Sequence, residues 1–294
     1  MLPERPLAAA VRSVMLACCL VACGSPAESP DVSAATVVGP RVVAFGDVHG
    51  DLDATRAALR LAGAIDSRDH WIGGPLTVVQ TGDQLDRGDD EPDILALLER
   101  LQGEAAAAGG KLIVLDGNHE LMNAAGDLRY VTTDGFADYG GESARLTAFA
   151  PGGALARQLA ERHLYAIVGD TLFVHGGITP ADLDIGLDVL DQEVRAWLSG
   201  ARVDPPRVLT DPSSMVWTRI YGGASDVDCD SVKTVLARLG LKRMVVGHTV
   251  QPHINSACGG HLWRIDVGLS HYYGGPREVL AIDGAQVQVL REQR

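Results

Sequence analysis

Aromatic residues are scarce in this chain: phenylalanine, tryptophan and tyrosine together make up 5% of its 294 residues. A core must therefore be built mainly from aliphatic side chains, which a hydrophobic content of 46% allows. Cysteine is sparse too. Of five, Cys18, Cys19 and Cys23 crowd near the N-terminus, and only Cys229 and Cys258 lie in the body of the chain. Neither has a neighbour spaced as in a zinc ribbon, which argues against a structural zinc site. Positive charge is in deficit, with 25 Lys and Arg against 38 Asp and Glu and a formal charge of −13. That balance argues against a general affinity for nucleic acid or anionic lipid headgroups. It leaves a phosphorylated substrate open, because bound metals and local arginines can outweigh the global charge at a site. The apolar stretch from Val14 to Ala22 is too short for a comfortable membrane span, and no internal repeat is evident.

That stretch follows Arg5 and Arg12 and has the proportions of an export signal, so residues 1–22 are set aside from the fold. Its end, Leu20-Val21-Ala22-Cys23, followed by Gly24-Ser25, resembles a bacterial lipobox. The resemblance implies cleavage before Cys23 and lipid on that cysteine; the alternative is an ordinary signal peptide with an incidental cysteine. Residues 23–40, rich in Ser, Pro and Ala, read as a tether between lipid and domain. The expected place is a bacterial cell envelope, anchored to the membrane on the periplasmic side or at the outer membrane. An exported compartment permits Cys229 and Cys258 to pair; two free thiols are the alternative.

From Arg41 onward, five short apolar runs each end abruptly in Asp, Asn or His beside glycine. Val42–Phe45 precedes Gly46-Asp47-Val48-His49-Gly50, and Thr77–Gln80 precedes Gly82-Asp83-Gln84-Leu85-Asp86-Arg87-Gly88. Leu112–Leu115 leads into Gly117-Asn118-His119-Glu120, Leu172–Val174 into His175-Gly176-Gly177, and Met244–Val246 into Gly247-His248-Thr249. Such runs read as buried strands, and in α/β sheets ligand groups gather beyond the carboxyl ends of the strands. Helical stripes lie between them: Leu52 to Ala62, then Pro92 to Leu101, and later Val232 to Leu239 before Gly240. Asn123 to Arg162 breaks the pattern and reads as an inserted cap of helices and loops. Tyr165–Val168 and Thr171–Val174 flank Gly169-Asp170, a hairpin signal. The tail reads as strands over His261–Val267, Glu278–Ile282 and Val287–Leu290. An α/β fold follows, a pair of mixed sheets with helices outside.

The residues at the strand ends have a common chemistry. Asp47 and His49 can present oxygen and nitrogen to one metal from a tight loop, and Asp83 can bridge two cations with its two carboxylate oxygens. Asn118, His175 and His248 add a neutral oxygen and two imidazoles. Mixed N/O sets of this kind suit Mn, Fe, Zn or Ni, with little preference readable from ligand identity; manganese is the first expectation. Two such metals hold a hydroxide at neutral pH and clamp a phosphoryl group for in-line displacement. Arg87 can fork onto phosphate oxygens, and His119 can serve as a general acid oriented by Asp86. Each block alone has a plainer reading. Gly-Asn-His-Glu could be a turn opening a helix, with Glu120 stabilising the first turn, and His175 could be a lone buried histidine. Two acids and an arginine straight after a buried strand are costly without a purpose. Together, the blocks point to a two-metal site.

In this order the blocks resemble those of the phosphoprotein phosphatase superfamily of calcineurin-like metallophosphoesterases. More narrowly, Gly82–Asp89, Asn118–Asn123 and Val174–Ile178 are similar to the bacterial Shewanella-like protein phosphatases. The likeness covers roughly residues 41–290. It implies a four-layer fold, a central β-sandwich flanked by helices. It also implies that Asp47, His49 and Asp83 hold one metal, and that Asp83, Asn118, His175 and His248 hold the other. By the same resemblance Arg87 and Arg219, within Trp217-Thr218-Arg219, contact phosphate, and His119 paired with Asp86 donates the proton. The implied activity is a dimetal phosphomonoesterase acting on a phosphorylated protein or peptide, at phosphotyrosine or at phosphoserine and phosphothreonine. The alternative is a small phosphoester such as a nucleotide or diadenosine polyphosphate, and a third reading is a binding module that keeps only the fold. His70, His163, His253, His261 and His271 match no motif and read as surface or structural residues. Tyr272 and Tyr273 read as ordinary packing, with a place bordering the active site as the alternative, and Asp51 and Asp53 read as caps of the next helix.

Overall fold

The structure, a computed structural model, describes residues 41–223 and 227–292. The export signal, Cys23 and the tether lie outside the described residues. The first three apolar runs form β1 (Val42–Phe45), β2 (Thr77–Gln80) and β3 (Lys111–Val114), joined by α1 (Leu52–Leu61) and α2 (Glu91–Ala107). Asp51 caps α1 by accepting the Ala54 N–H at 2.8 Å. α2 runs past Leu101 to Ala107, since Ala105, Ala106 and Ala107 sustain a helix at little cost.

α3 (Asn118–Ala124) opens directly after β3, and α4 (Thr133–Ala137), α5 (Glu142–Phe149) and α6 (Ala154–Leu159) occupy the stretch read as a cap. β4 (Tyr165–Val168) and β5 (Thr171–Val174) form a hairpin with Val168 opposite Thr171, its turn made possible by Gly169 at φ +60°. Then come α7 (Pro180–Ile185), α8 (Leu187–Leu198), α9 (Arg207–Thr210) and α10 (Cys229–Leu239). β6 (Arg243–Val246), β7 (Asn255–Ala257), β8 (Leu262–Arg264), β9 (Glu278–Asp283) and β10 (Gln286–Arg291) complete the chain. The strand expected over His261–Val267 is confined to Leu262–Arg264, because the chain leaves the ladder there and carries Asp266 to the strand ends. Cys229, at the start of α10, is disulfide-bonded to Cys258 just after β7.

Two mixed five-stranded sheets result, in the orders β10-β9-β1-β2-β3 and β4-β5-β6-β8-β7. β1, β2 and β3 are parallel, as are β5, β6 and β8, and the remaining pairs are antiparallel. The strand pleat sorts the second sheet's residues between two cores. Phe173 and Val245 join Val43, Val78 and Leu280 of the first sheet, together with Ala58, Leu59, Ile94 and Leu98 of α1 and α2. Their neighbours Leu172, Val174, Met244 and Val246 pack instead with Leu190, Val194, Val232 and Val235 of α8 and α10. Helices therefore flank a β-sandwich, and the strand ends of both sheets feed one rim.

Candidate metal centre and active site

Asp47 and His49 follow β1, and Asp83, Asp86 and Arg87 follow β2. Asn118 and His119 open α3, His175 follows β5, and His248 follows β6. The six residues expected as metal ligands are each 6% exposed or less, so their polar atoms must find partners in one another or in an ion. The loops holding them are tight. His49, Asp83, Asp86, Arg87 and His248 have φ between +41° and +69°, where side chains other than glycine rarely sit. Backbone bonds hold this strain: the N–H groups of Val48 and His49 donate to the Asp83 carbonyl at 3.1 and 3.0 Å. The buried Glu120 carboxylate accepts the N–H groups of Gly117, Asp83, Gln84 and Leu85 at 2.7, 2.9, 2.9 and 3.2 Å. Glu120 thus shapes the Asp83 loop as well as the first turn of α3.

The imidazoles are aimed by backbone carbonyls. His49 Nδ1 lies 3.0 Å from the Leu85 oxygen, His175 Nδ1 2.9 Å from that of Thr81, and His248 Nε2 3.1 Å from that of Trp217. The other nitrogen of each ring is left to face the site, as metal-binding histidines require. Asp83 Oδ2 lies 3.8 Å from His49 Nε2, 3.8 Å from His119 Nε2 and 3.3 Å from His175 Nε2. Asn118 Oδ1 and His248 Nδ1 stand 2.9 and 3.1 Å from His175 Nε2. Two groups of donors emerge, His49–Asp83–His119 and Asp83–His175–His248, each with atoms within 4.8 Å of one another. Asp47 flanks both, 4.0 Å from His49 Nε2 and 4.0 Å from His175 Nδ1. Asp83 turns one oxygen to both groups rather than the expected two, because its Oδ1 accepts the His119 N–H at 3.0 Å.

The electrostatics fit cations. Burial pushes His49 down to about 4 and His248 down to about 2, so both rings are neutral near pH 7, as ligation demands. His175 and His119 go the other way: burial lowers them, but the Asp83 charge together with hydrogen bonds, to Asp83 and the Thr81 carbonyl for His175 and to Asp86 for His119, raises both. Asp47 is pushed well up by burial and by the charges of Asp266 and Asp83. So many buried carboxylates in one place repel one another unless positive charge lies among them.

His119 stands beside Asp83 with its Nδ1 2.5 Å from Asp86 Oδ2 and its Nε2 3.4 Å from Arg87 Nη2. Arg87 is enclosed by aromatic faces, its guanidinium carbon 4.5 Å from the Tyr130 ring centre and 5.2 Å from those of Tyr272 and Tyr273. The Tyr273 ring is 5.6 Å from His49, and Tyr130 is 5.2 Å from His119. Tyr272 and Tyr273 therefore take the alternative reading, bordering the site rather than only packing, since the β8–β9 loop folds back over Arg87. Arg219 is exposed and donates from one guanidinium nitrogen to the His248 carbonyl at 2.9 Å and to the Thr249 hydroxyl at 3.2 Å. His163 Nδ1 pairs with Asp191 and His253 Nδ1 with Glu278, both at 2.8 Å. Sequence reasoning missed Asp266, which lies behind Asp47 and is raised to about 6 by burial. An acid directly after Leu262–Ile265 was the available signal. It also missed Glu91 and Arg145, which no spacing connects.

A family model described as calcineurin-like phosphoesterase matches residues 40–252. The chain belongs to the calcineurin-like phosphoesterase family. This phosphoesterase is 37% identical over 279 residues to Shewanella-like protein phosphatase 2 of Arabidopsis thaliana, covering 78% of this chain and 71% of that protein. It is 28% identical over 267 residues to Shewanella-like protein phosphatase 1 of Plasmodium berghei, covering 85% and 74%. Among solved structures it is similar to the cold-active protein-tyrosine phosphatase of a psychrophile Shewanella species. The TM-score is 0.72 at 26% identity, covering 86% of this chain and 81% of that one. The phosphoesterase is a metal-dependent hydrolase of phosphorylated substrates, using divalent cations.

Proposed function

We propose that this phosphoesterase is a protein phosphatase that removes phosphate from phosphotyrosine, and also from phosphoserine or phosphothreonine. The observation that carries the reading is the wall of Tyr130, Tyr272 and Tyr273 around Arg87, directly beside the two donor groups. An aryl phosphate there has aromatic faces available to its ring and a guanidinium to its phosphoryl group. The similarity to the Shewanella tyrosine phosphatase supports the same choice.

In this reading Asp47, His49, Asp83, Asn118, His175 and His248 hold two cations, manganese foremost. When bound, the cations neutralise phosphoryl charge and lower the pKa of the attacking water. Arg87 has a buried Nε with no partner, and its Nη2 has only the 3.4 Å approach to His119 Nε2, so the guanidinium keeps donors for phosphoryl oxygens while the tyrosines keep it flat. Arg219 approaches from beside His248 as a second phosphate contact. Asp86 fixes the His119 ring through Nδ1, leaving Nε2 to give a proton to the departing oxygen. The test is turnover of the manganese-loaded protein on phosphotyrosine peptide, phosphothreonine peptide, nucleotides and diadenosine tetraphosphate. A preference for phosphotyrosine peptide of about 10-fold or more in kcat/KM, roughly 1.4 kcal/mol, is the expected result. A preference for a nucleotide would instead assign the protein to small phosphoesters.

The N-terminal reading belongs to the same proposal: cleavage before Cys23, lipid on Cys23, a tether to residue 40, and a catalytic domain over 41–290 in the bacterial envelope. Among the described residues no helix is long and apolar enough to cross a membrane. Mass spectrometry of the N-terminal peptide from membranes checks it; an unmodified Cys23 there would sink the anchor.

A further inference from the structure

Arg145, on α5 of the cap, is fully buried, as are Asp86 and Glu91 beneath it. Its Nη1 donates to Glu91 Oε2 at 2.5 Å and to the Gly135 carbonyl at 3.0 Å, and its Nη2 donates to Glu91 Oε1 at 3.0 Å. The same Nη2 reaches Asp86 Oδ1 at 3.5 Å, and Nε donates to Asn123 Oδ1 at 2.9 Å. Asn123 Nδ2 in turn donates to Asp86 Oδ1 at 3.0 Å. Glu91 closes the circuit by accepting the Asp86 N–H at 2.6 Å. Tyr139 and Phe149 cover the guanidinium, with ring centres 4.8 and 5.1 Å away.

A guanidinium taken fully out of water is expensive unless each donor is used. Here its donors go to Glu91, Asn123 and the Gly135 carbonyl, with one weaker reach to Asp86; Glu91 and Asn123 in turn bind Asp86, the residue that holds His119. Asp86 and Arg87 stand in consecutive left-handed conformations, φ +68° and +69°, which the chain keeps only where its surroundings over-determine them. The Asp86 carboxylate is fixed by Arg145 and Asn123, and the Asp86 backbone by Glu91, itself gripped by Arg145. One cap side chain therefore sets both the Asp86–His119 contact and the start of the turn that presents Arg87.

We propose that Arg145 is a positioning residue for phosphoester cleavage: acting through Glu91, Asn123 and Asp86, it holds His119 and Arg87 in place, which makes the cap part of the catalytic framework. The proposal rests on the phosphatase reading above, in which His119 donates the proton. Without the guanidinium, two buried carboxylates face each other and the turn loses its anchor. The proton donor then loses its aim, while Asp83, held by Glu120, and the imidazoles, held by backbone carbonyls, keep their own anchors.

The test compares full-length wild type, Arg145→Met, Arg145→Lys and His119→Ala, all manganese-loaded, on 4-nitrophenyl phosphate and on an alkyl phosphate monoester. In Arg145→Met we expect kcat on the alkyl ester to fall about 30-fold, part of what a general acid contributes. On the activated aryl ester it should fall about 3-fold or less, since a good leaving group needs no proton. Metal content should be unchanged, and Arg145→Lys should recover only part of the loss because it keeps the charge without the fork. The double variant with His119→Ala should be little worse than His119→Ala alone on the alkyl ester, as for residues acting as one unit. Equal losses on both esters, full rescue by lysine, or losses that add to those of His119→Ala would overturn the positioning role. If Arg145→Met fails to fold, Arg145→Lys carries the same ester comparison. A wild-type protein that binds manganese yet turns over neither ester would overturn the phosphatase reading, and this proposal with it. Equal losses in variants of an active wild type overturn this proposal alone.

Discussion

Asp83 belongs to both groups of candidate donors at the scale of single residues. One oxygen faces three imidazoles, the other holds the His119 N–H, and its φ of +59° is kept by Glu120. Asp83→Asn removes the charge that both cations would share, so the purified variant should hold roughly half the wild-type metal or less by elemental analysis. Full occupancy of both positions would contradict the shared role. Arg87 is the second decisive residue. Arg87→Lys keeps the positive charge but discards the planar fork on which three tyrosine faces stack. Its kcat/KM on phosphotyrosine peptide should fall about 30-fold, roughly 2 kcal/mol, with metal content unchanged. A drop under about threefold would show that charge alone suffices.

At the scale of elements, the loops after β1 and β2 work as one piece. Gly50 has φ +66°, and a Cβ there would stand 2.6 Å from the Gly88 carbonyl carbon. Gly88→Ala forces the two backbones apart; we expect about 2 kcal/mol or more of destabilisation in urea titration. An unchanged midpoint would show that the loops separate freely. The disulfide from Cys229 to Cys258 closes a loop with a sequence separation of 29. Replacing both cysteines by serine should cost about 3–4 kcal/mol by the chain-entropy account, and reductant should lower the wild-type midpoint likewise. No change in either would mean the bond does not constrain the unfolded chain. The strands feeding the site were readable because each is a short apolar run stopped by glycine and a polar residue. α8 was overlooked although Leu187, Leu190, Val194, Trp197 and Leu198 line one face, since the stretch carries no chemistry to draw the eye. β7 carries only Asn255, Ser256 and Ala257 and exists because β8 lies beside it.

The whole molecule brings the strand ends of two sheets to one rim and concentrates acid there. Asp47, Asp116, Glu120 and Asp266 are all raised, burial being the first cause in each. A fold that buries this much like charge needs cations to be most stable. Stripping metal with a chelator should lower the Tm, and returning manganese should raise it with concentration. The gain should be about 2.7 kcal/mol for each cation site at a hundredfold excess over its Kd. A Tm indifferent to metal would mean that the folded state does not hold the cations.

The sequence by itself determined the strands that feed the site, the hairpin turn at Gly169-Asp170 and the glycine-bounded blocks that carry the chemistry. These are local matters: a strand end, a turn and a run of aliphatic residues are decided by neighbours within a few positions. Tertiary structure alone decided the rest. Arg145 lies 59 positions from Asp86 and Glu120 lies 37 from Asp83, and only the packing of the cap and α3 against the β2 loop brings them together. The same packing turned Tyr272 and Tyr273 from filler into the wall around Arg87. A buried charge finds its partner wherever the folded chain delivers one, and no spacing in the sequence records that.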